Sequence, residues 1–142
     1  MKGAIPPLAA LITAMLLAAT GIAVPQNVLS PGEAARMVAI KDLKATPSSV
    51  SGVVVNNTPH IIRDIEVAIE YHWMWANEFK PGPVDPGRAV VIKLNKELKP
   101  GESAPFRYVP DPPLESRKDG RFEPEVVVVG YTTVIPASAA AR

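Results

Sequence analysis

Proline limits the length of every regular element that this chain can form, since sixteen of its 142 residues are proline. Proline fixes the backbone angle φ and lacks an amide hydrogen, so it interrupts helices and central strands. Beyond residue 36 it recurs in turn-forming stretches that separate short apolar runs, among them Asn56-Asn57-Thr58-Pro59, Pro81-Gly82-Pro83 and Lys99-Pro100-Gly101. Short apolar runs with frequent turn signals are typical of an all-β sandwich or barrel.

Six of the apolar runs have the length and composition of antiparallel strands. Their predicted bounds are Met37–Lys44, Val50–Asn56, Ile61–Trp75, Ala89–Asn95, Ser103–Val109 and Glu123–Ile135, and a short strand near Phe79 would make seven. Asp119-Gly120 predicts a hairpin between the last two strands. The β-branched run Val126–Val129 predicts a central strand with both faces partly covered. Before the first strand, Ser30-Pro31-Gly32-Glu33 resembles a short helix start or a turn.

The run Ile61–Trp75 carries both tryptophans and alternates in polarity. Because successive side chains of a strand point to opposite faces, its odd-numbered positions from 65 onward share one face. That face is apolar or aromatic throughout, whereas the other carries Glu66, Glu70 and His72. The alternation predicts that Trp73 lies in the core and that His72 lies on the surface.

Two candidate sites come from the same strand. Trp75 stands at the strand end beside a Pro/Gly-rich loop, and with Tyr71 it is a candidate ligand-binding pair for a sugar or a peptide. His72 and Met74 share one strand face, and an imidazole with a thioether suits copper, above all Cu(I). The competing interpretations are a pair of core aromatics, and an exposed His and Met that need no function.

Catalytic motifs are absent from the sequence. It contains neither a nucleophile elbow nor a glycine-rich phosphate loop. It also contains no cysteine, which excludes disulfides and thiolate chemistry. We therefore predict no catalytic residue, no enzymatic activity and no cofactor.

The N-terminal segment has the three parts of a secretory signal: Lys2, the apolar run Leu8–Ala19, and small residues through Ala23. The alternative is an uncleaved anchor, because Ile5–Val24 holds 20 residues without a charge. These interpretations divide the chain into a signal peptide or membrane anchor (1–23), a leader (24–36), a β-sandwich (37–136) and a disordered tail (137–142). They predict a periplasmic or secreted protein, or one anchored in the membrane and facing outside the cytoplasm.

The charge balance bears on the partners. Removing Lys2 with the leader leaves 14 Lys+Arg, from 15, against 14 Asp+Glu. A neutral chain has no electrostatic reason to bind nucleic acid or an anionic membrane surface. We expect another envelope protein as partner, and contact with the membrane only if the N-terminal segment is uncleaved. The sequence does not determine an oligomeric state.

Several segments together resemble a known module. They are the strand Val50–Asn56, the long alternating strand Ile65–Trp75, the turn Leu98-Lys99-Pro100-Gly101-Glu102, and the aromatic strand with Phe106-Arg107-Tyr108. In this order they are similar to FxLYD-type and related bacterial extracytoplasmic immunoglobulin-like domains. The resemblance implies an immunoglobulin-like β-sandwich without catalytic residues. The predicted function is that of an exported envelope module that binds other proteins or has a structural role; the alternatives are carbohydrate or peptide binding at Tyr71 and Trp75, and copper binding at His72 and Met74.

Overall fold

The computed structural model of the protein describes residues 30–137. In this range one short helix precedes six strands: α1 (Pro31–Met37), β1 (Val38–Thr46), β2 (Ser49–Asn56), β3 (Ile61–Trp75), β4 (Arg88–Leu94), β5 (Ser103–Tyr108) and β6 (Gly120–Val134). The strands form two antiparallel sheets, ordered β1-β2-β5 and β4-β3-β6. The all-β class is thereby confirmed. The predicted signal or anchor, the start of the leader and most of the tail lie outside the described residues.

The predicted strands agree closely with the observed ones. Strand β3 has its predicted bounds, and β1, β2, β4 and β5 begin and end within two residues of theirs. The structure begins β6 at Gly120, three residues before the predicted start. The short strand near Phe79 was wrong, because this part of the chain forms turns and bends, and the Phe79 side chain is 98% exposed.

Helix α1 begins where the sequence places a helix start. The Ser30 hydroxyl accepts a hydrogen bond from the Glu33 amide (3.4 Å), and the Glu33 carboxylate accepts one from the Ser30 amide (3.0 Å). This reciprocal capping box satisfies two amide groups that a helix start leaves free. The Ser30 hydroxyl also donates to the Glu33 carboxylate (2.8 Å). The bonds that this carboxylate accepts from the Ser30 amide and, second, from the Ser30 hydroxyl lower the pKa of Glu33. The helix lies against β1 and β6, with Ala34 buried.

The inward faces of the two sheets form a single core. Sheet β1-β2-β5 contributes residues such as Val50, Val54 and Phe106, and β3 contributes the alternating set that the sequence predicts: Ile65, Val67, Ile69, Tyr71 and Trp73. In this alternating set every residue except Trp73 is at most 1% exposed, and Trp73 is 7% exposed. His72, on the other face of the strand, is exposed. The predicted phase of β3 is therefore confirmed from Ile65 onward.

A bulge reverses this phase near the start of β3. The register against β6 shifts between Arg63 and Glu66, and Asp64 has a positive φ of 51°. An extra residue turns the side chains that follow to the opposite face, so Ile62 and Ile65 are both fully buried although they are three apart. Aspartate tolerates this left-handed conformation better than most residues. The sequence analysis did not predict the bulge.

Two further expectations about β6 were wrong. Strand β5 pairs with β2 and β6 pairs with β3, so the Asp119-Gly120 segment connects the two sheets and does not form a hairpin. The central strand of the second sheet is β3, and β6, which holds Val126–Val129, lies at one side of it. Among the described residues there is no helix of the length and hydropathy needed to cross a membrane.

Candidate functional site

The strand register places the two ends of the described chain at the same end of the domain. Val38, which follows α1, pairs with Asn56 at the end of β2, and Val134 pairs with Ile61 at the start of β3. The opposite end holds the β1–β2 turn, the C-terminal end of β3 and Gly120, which pairs with Trp75. Strand β3 connects the two ends over its 15 residues, or roughly 45 Å at about 3.3 Å per residue. We call the first end, where residues 30 and 137 lie, the chain-end side, and we call the opposite end the Trp73 side.

A cleft of about 500 Å³ opens on the Trp73 side. The β1–β2 turn contributes Pro47 and Ser48 to its wall, and Trp73 and Phe122 contribute from the second sheet. The rest of the lining comes largely from the segment between β5 and β6: Val109, Pro110, Pro113, Leu114, Glu115, Ser116 and Arg117. Most of these side chains are apolar, and the volume lies in the range of ordinary ligand sites.

Three aromatic rings pack together at the base of this region. The Trp73 ring meets Phe122 edge to face at a centroid separation of 4.7 Å, and meets Trp75 in the same manner at 5.8 Å. Such edge-to-face pairs add stability beyond the burial of area. Trp73 on β3 pairs with Phe122 on β6, which brings these two rings together.

Arg117 covers both tryptophans. Its guanidinium lies 5.2 Å from the Trp73 ring centroid and 5.6 Å from that of Trp75, within cation–π range. The same guanidinium donates two hydrogen bonds to the Asp119 carboxylate, at 2.9 and 2.5 Å. These bonds raise the pKa of Arg117 and lower the pKa of Asp119. Arg117 is thereby held over the rings by a partner two residues away.

Two buried polar atoms on the core face of β3 have no hydrogen-bond partner among the described residues: Tyr71 Oη and Trp73 Nε1. Buried donors and acceptors are usually paired, because an unpaired one loses its hydration without compensation. Burial, reinforced by Tyr108 and opposed by Arg88, raises the pKa of Tyr71. The two atoms differ in setting, since Trp73 lines the cleft and Tyr71 does not.

The candidate ligand pair Tyr71 and Trp75 occupies two different environments. Tyr71 is 1% exposed and belongs to the core, with Trp73 between it and Trp75 along β3. Trp75 is half-buried: Arg117 lies over its ring, and a Cβ at Gly82 would be 2.6 Å from its Cη2 atom. The structure therefore does not bring the two rings together as one open surface, and ligand binding by the pair stays a prediction.

The candidate metal residue His72 lies between two glutamates on the outer face of the second sheet. Its Nε2 atom is 2.9 Å from Glu125 Oε2 and 3.5 Å from Glu70 Oε2. Glu70 and Glu125 are directly opposite each other on β3 and β6. Carboxylates are hard ligands, so this trio suits a divalent cation such as Zn²⁺ better than Cu(I). Copper binding by His72 and Met74 stays a prediction, with Met74 half-buried on the same strand.

The sequence analysis placed Trp73 in the core and did not predict the cleft around it. Phe122, Leu114 and Arg117 come from the segment after β5, which the sequence marks only by its prolines. The proximity of Phe122 to Trp73 follows from the pairing of β6 with β3, whereas the Asp-Gly signal favoured a hairpin with β5. The local signal that could have placed Phe122 on the core face is the alternation of β6, in which Phe122 is in phase with the buried Val128.

No protein-family model, curated protein or solved structure matches this chain. A fold alone does not imply a function, so the function has to come from the chemistry of the site.

Proposed function

We propose that this protein is a non-catalytic binding module that acts outside the cytoplasm and takes an apolar group of a partner protein into the cleft on the Trp73 side. The observation that carries this function is the cleft itself, about 500 Å³ in volume and lined mainly by apolar side chains. Burying a partner's apolar group there supplies the non-directional part of the affinity. The polar residues Ser48, Glu115 and Arg117 supply direction.

The position of the cleft favours a role in contact with other proteins. The chain enters and leaves the described domain on the chain-end side. A signal-derived leader or an uncleaved anchor would attach there, and a cleft at the far end remains accessible in either case. Export itself rests on the N-terminal sequence, with its cation, apolar run and small residues.

For the fold, we propose an immunoglobulin-like β-sandwich related to FxLYD-type domains. The support is that two antiparallel sheets of three strands share one core, and that the segments resembling the family form β2, β3, β5 and the turn before β5. This relationship implies no catalytic residue, in agreement with the absence of catalytic motifs from the sequence.

Site-specific photo-crosslinking in intact cells tests the binding function. A photoreactive amino acid at Ser48, on the cleft wall, is compared with one at Lys96, an exposed residue between β4 and β5 on the chain-end side. We expect the Ser48 position to yield a discrete adduct with one envelope protein, and the Lys96 position not to yield it. Ser116→Trp, which fills the cleft from an exposed position, should abolish that adduct. Equal adducts from both positions, or an adduct that persists in Ser116→Trp, would contradict the proposal.

A further inference from the structure

The outer face of the second sheet brings together three potential metal ligands, none of which lines the cleft. Glu70 and His72 are two apart on β3, so their side chains share one face of the strand. Glu125 of β6 lies directly opposite Glu70. The ligand atoms of the three residues all lie within 4.8 Å of one another. We call Glu70, His72 and Glu125 the carboxylate trio, after its two glutamates.

The distances within the carboxylate trio are close to the spacing of ligands around one zinc ion. Imidazole nitrogen and carboxylate oxygen bind zinc at about 2.0–2.2 Å, so two ligands of a tetrahedral site lie roughly 3.3–3.6 Å apart. The Nε2 atom of His72 is 3.5 Å from Glu70 Oε2 and 2.9 Å from Glu125 Oε2. Small rotations of the glutamate side chains therefore suffice to place all three ligand atoms around one ion.

The charges in the carboxylate trio favour a cation. Two carboxylates directly opposite each other on neighbouring strands repel. In the described part of the chain, the only ion-pair partner of either Glu70 or Glu125 is His72. By contrast Glu123, which pairs with His72 across the strands, is neutralised by the Arg121 guanidinium at 2.6 Å. With a neutral imidazole the trio carries two negative charges, which one divalent ion balances.

The donor set determines the class of ion. Mg²⁺ and Ca²⁺ take oxygen ligands, and sulfur ligands suit Cu(I). One imidazole and two carboxylates instead suit Zn²⁺, which in open sites has three protein ligands and a water molecule. His72 coordinates through Nε2 as the neutral imidazole, with its proton on Nδ1. Glu70 and His72 also line a surface depression, so the fourth position has room for the water.

We propose that Glu70, His72 and Glu125 bind one Zn²⁺ ion on the outer face of the second sheet, with water in the fourth position. The three ligands belong to neighbouring, hydrogen-bonded strands, so their backbone positions are fixed before the ion binds. The metal site and the cleft share no residue. Zinc binding is therefore independent of the binding function proposed for the cleft, and either can fail without the other.

Calorimetric titration of the full chain, without an affinity tag, with zinc chloride tests the site. We expect one Zn²⁺ ion per molecule. Glu70→Gln, His72→Ala and Glu125→Gln should each weaken binding at least about tenfold, because even the loss of a group that only orients a metal ligand costs about 10–100-fold. Thermal melts check that the three variants are folded, as expected for changes on the outer face of a sheet.

Two control variants separate the carboxylate trio from other groups. His60→Ala removes the other histidine of the chain, which lies on the chain-end side. Glu123→Gln removes a carboxylate that pairs across the strands with His72 but is already bonded to Arg121. Both variants should bind Zn²⁺ within about threefold of the parent, since an exposed charge outside the ligand set contributes little. In imidazole NMR spectra, Zn²⁺ should move the resonances of His72 and leave those of His60 in place.

Two results would overturn the metal site. One is the absence of both binding heat and His72 shifts up to about 1 mM Zn²⁺, the limit of weak affinity. The other is zinc binding that the three ligand variants retain, or that His60→Ala or Glu123→Gln weakens as strongly as they do, because the ion then lies elsewhere on the molecule.

Discussion

The chain-end side and the Trp73 side of this domain differ in how completely they satisfy their polar groups. On the chain-end side, the fully buried Asn56 amide donates to the His60 and Leu98 carbonyls at 2.8 and 3.0 Å. Its side-chain oxygen accepts from the amide and the hydroxyl of Thr58 at 2.9 and 2.7 Å. On the Trp73 side, Tyr71 Oη and Trp73 Nε1 are buried without a hydrogen-bond partner among residues 30–137, and the cleft is open.

This difference separates an end whose buried polar groups are paired from an end that holds the proposed ligand site. Main-chain bonds between Ile62 and Leu98, at 2.9 and 2.8 Å, tie the β4–β5 connection to β3 beside Asn56. The fully satisfied polar network fixes one arrangement of this end. Unpaired buried polar atoms and an unfilled apolar cleft reduce the stability of the folded chain, and a ligand that fills the cleft would raise it.

The largest effect is expected from Trp73→Ala. The substitution removes the ring at the centre of the aromatic cluster and enlarges the cleft, which should lower the free energy of unfolding by about 3–5 kcal/mol. Thermal and urea unfolding of the purified variant would measure it. A midpoint equal to that of the parent would mean that the Trp73 side contributes little to the core.

Asn56→Ala tests the chain-end side. It removes the two hydrogen bonds that the Asn56 amide donates and leaves the Thr58 amide without its acceptor, and we expect a loss of about 2–4 kcal/mol, since each unpaired buried group costs about 1–3 kcal/mol. Asn57→Ala is the matched control, because Asn57 is exposed. If urea unfolding gives the same midpoint for both variants, the Asn56 network is not what stabilises this end.

Gly120→Ala tests how closely the backbone at position 120 packs against the Trp73 indole. The added Cβ would overlap the Met74 carbonyl and lie 2.5 Å from Trp73 Cζ2, so we expect a loss of about 1–3 kcal/mol from overpacking. Gly32→Ala in α1 is the control, since a Cβ there meets nothing within 4 Å. Denaturant melts in which the two alanine variants coincide would argue against close packing at position 120.

Tyr71→Phe tests the Trp73 side by removing its unpaired phenol oxygen. We expect a gain of up to about 1 kcal/mol, because the phenol group is desolvated without a hydrogen bond. Burial also raises the pKa of Tyr71 above its ordinary value of 10.0. The folded state therefore keeps this proton to a higher pH than the unfolded state, and stability should fall as the pH rises through about 10. Urea melts from pH 9 to 11 should show a smaller decline of the free energy of unfolding in the variant than in the parent. Equal declines would mean that another group causes the loss of stability.

His72→Ala should have the smallest effect, within about 0.5 kcal/mol, because this histidine lies on the outer face of the sheet. Calorimetric titration of the parent and the variant with Zn²⁺ and with Cu(I) checks the metal hypotheses at the same time. Binding of Cu(I) that His72→Ala and Met74→Leu both abolish would support the copper site, and Zn²⁺ binding that Glu125→Gln abolishes would support the carboxylate trio.

Local patterns sufficed to predict the elements and the phase of β3. Strand alternation from Ile65 to Trp75 predicted the burial of Trp73 and the exposure of His72, because the two faces of a strand follow directly from chain order. Likewise, Ser30-Pro31-Gly32-Glu33 was interpreted as a helix start or a turn, and α1 begins there with a capping box between residues only three apart. Both are properties of neighbouring residues.

The partners of each strand, and hence the cleft, were decided only by the tertiary structure. Asp119-Gly120 carries a hairpin signal of its own, yet β6 pairs with β3, where Phe122 meets Trp73 and completes the aromatic cluster. The bulge at Asp64 likewise brings Ile62 and Ile65 to the same core. The physical reason is that strand pairing is selected by the burial of whole faces against distant residues, which outweighs the preference of a single turn.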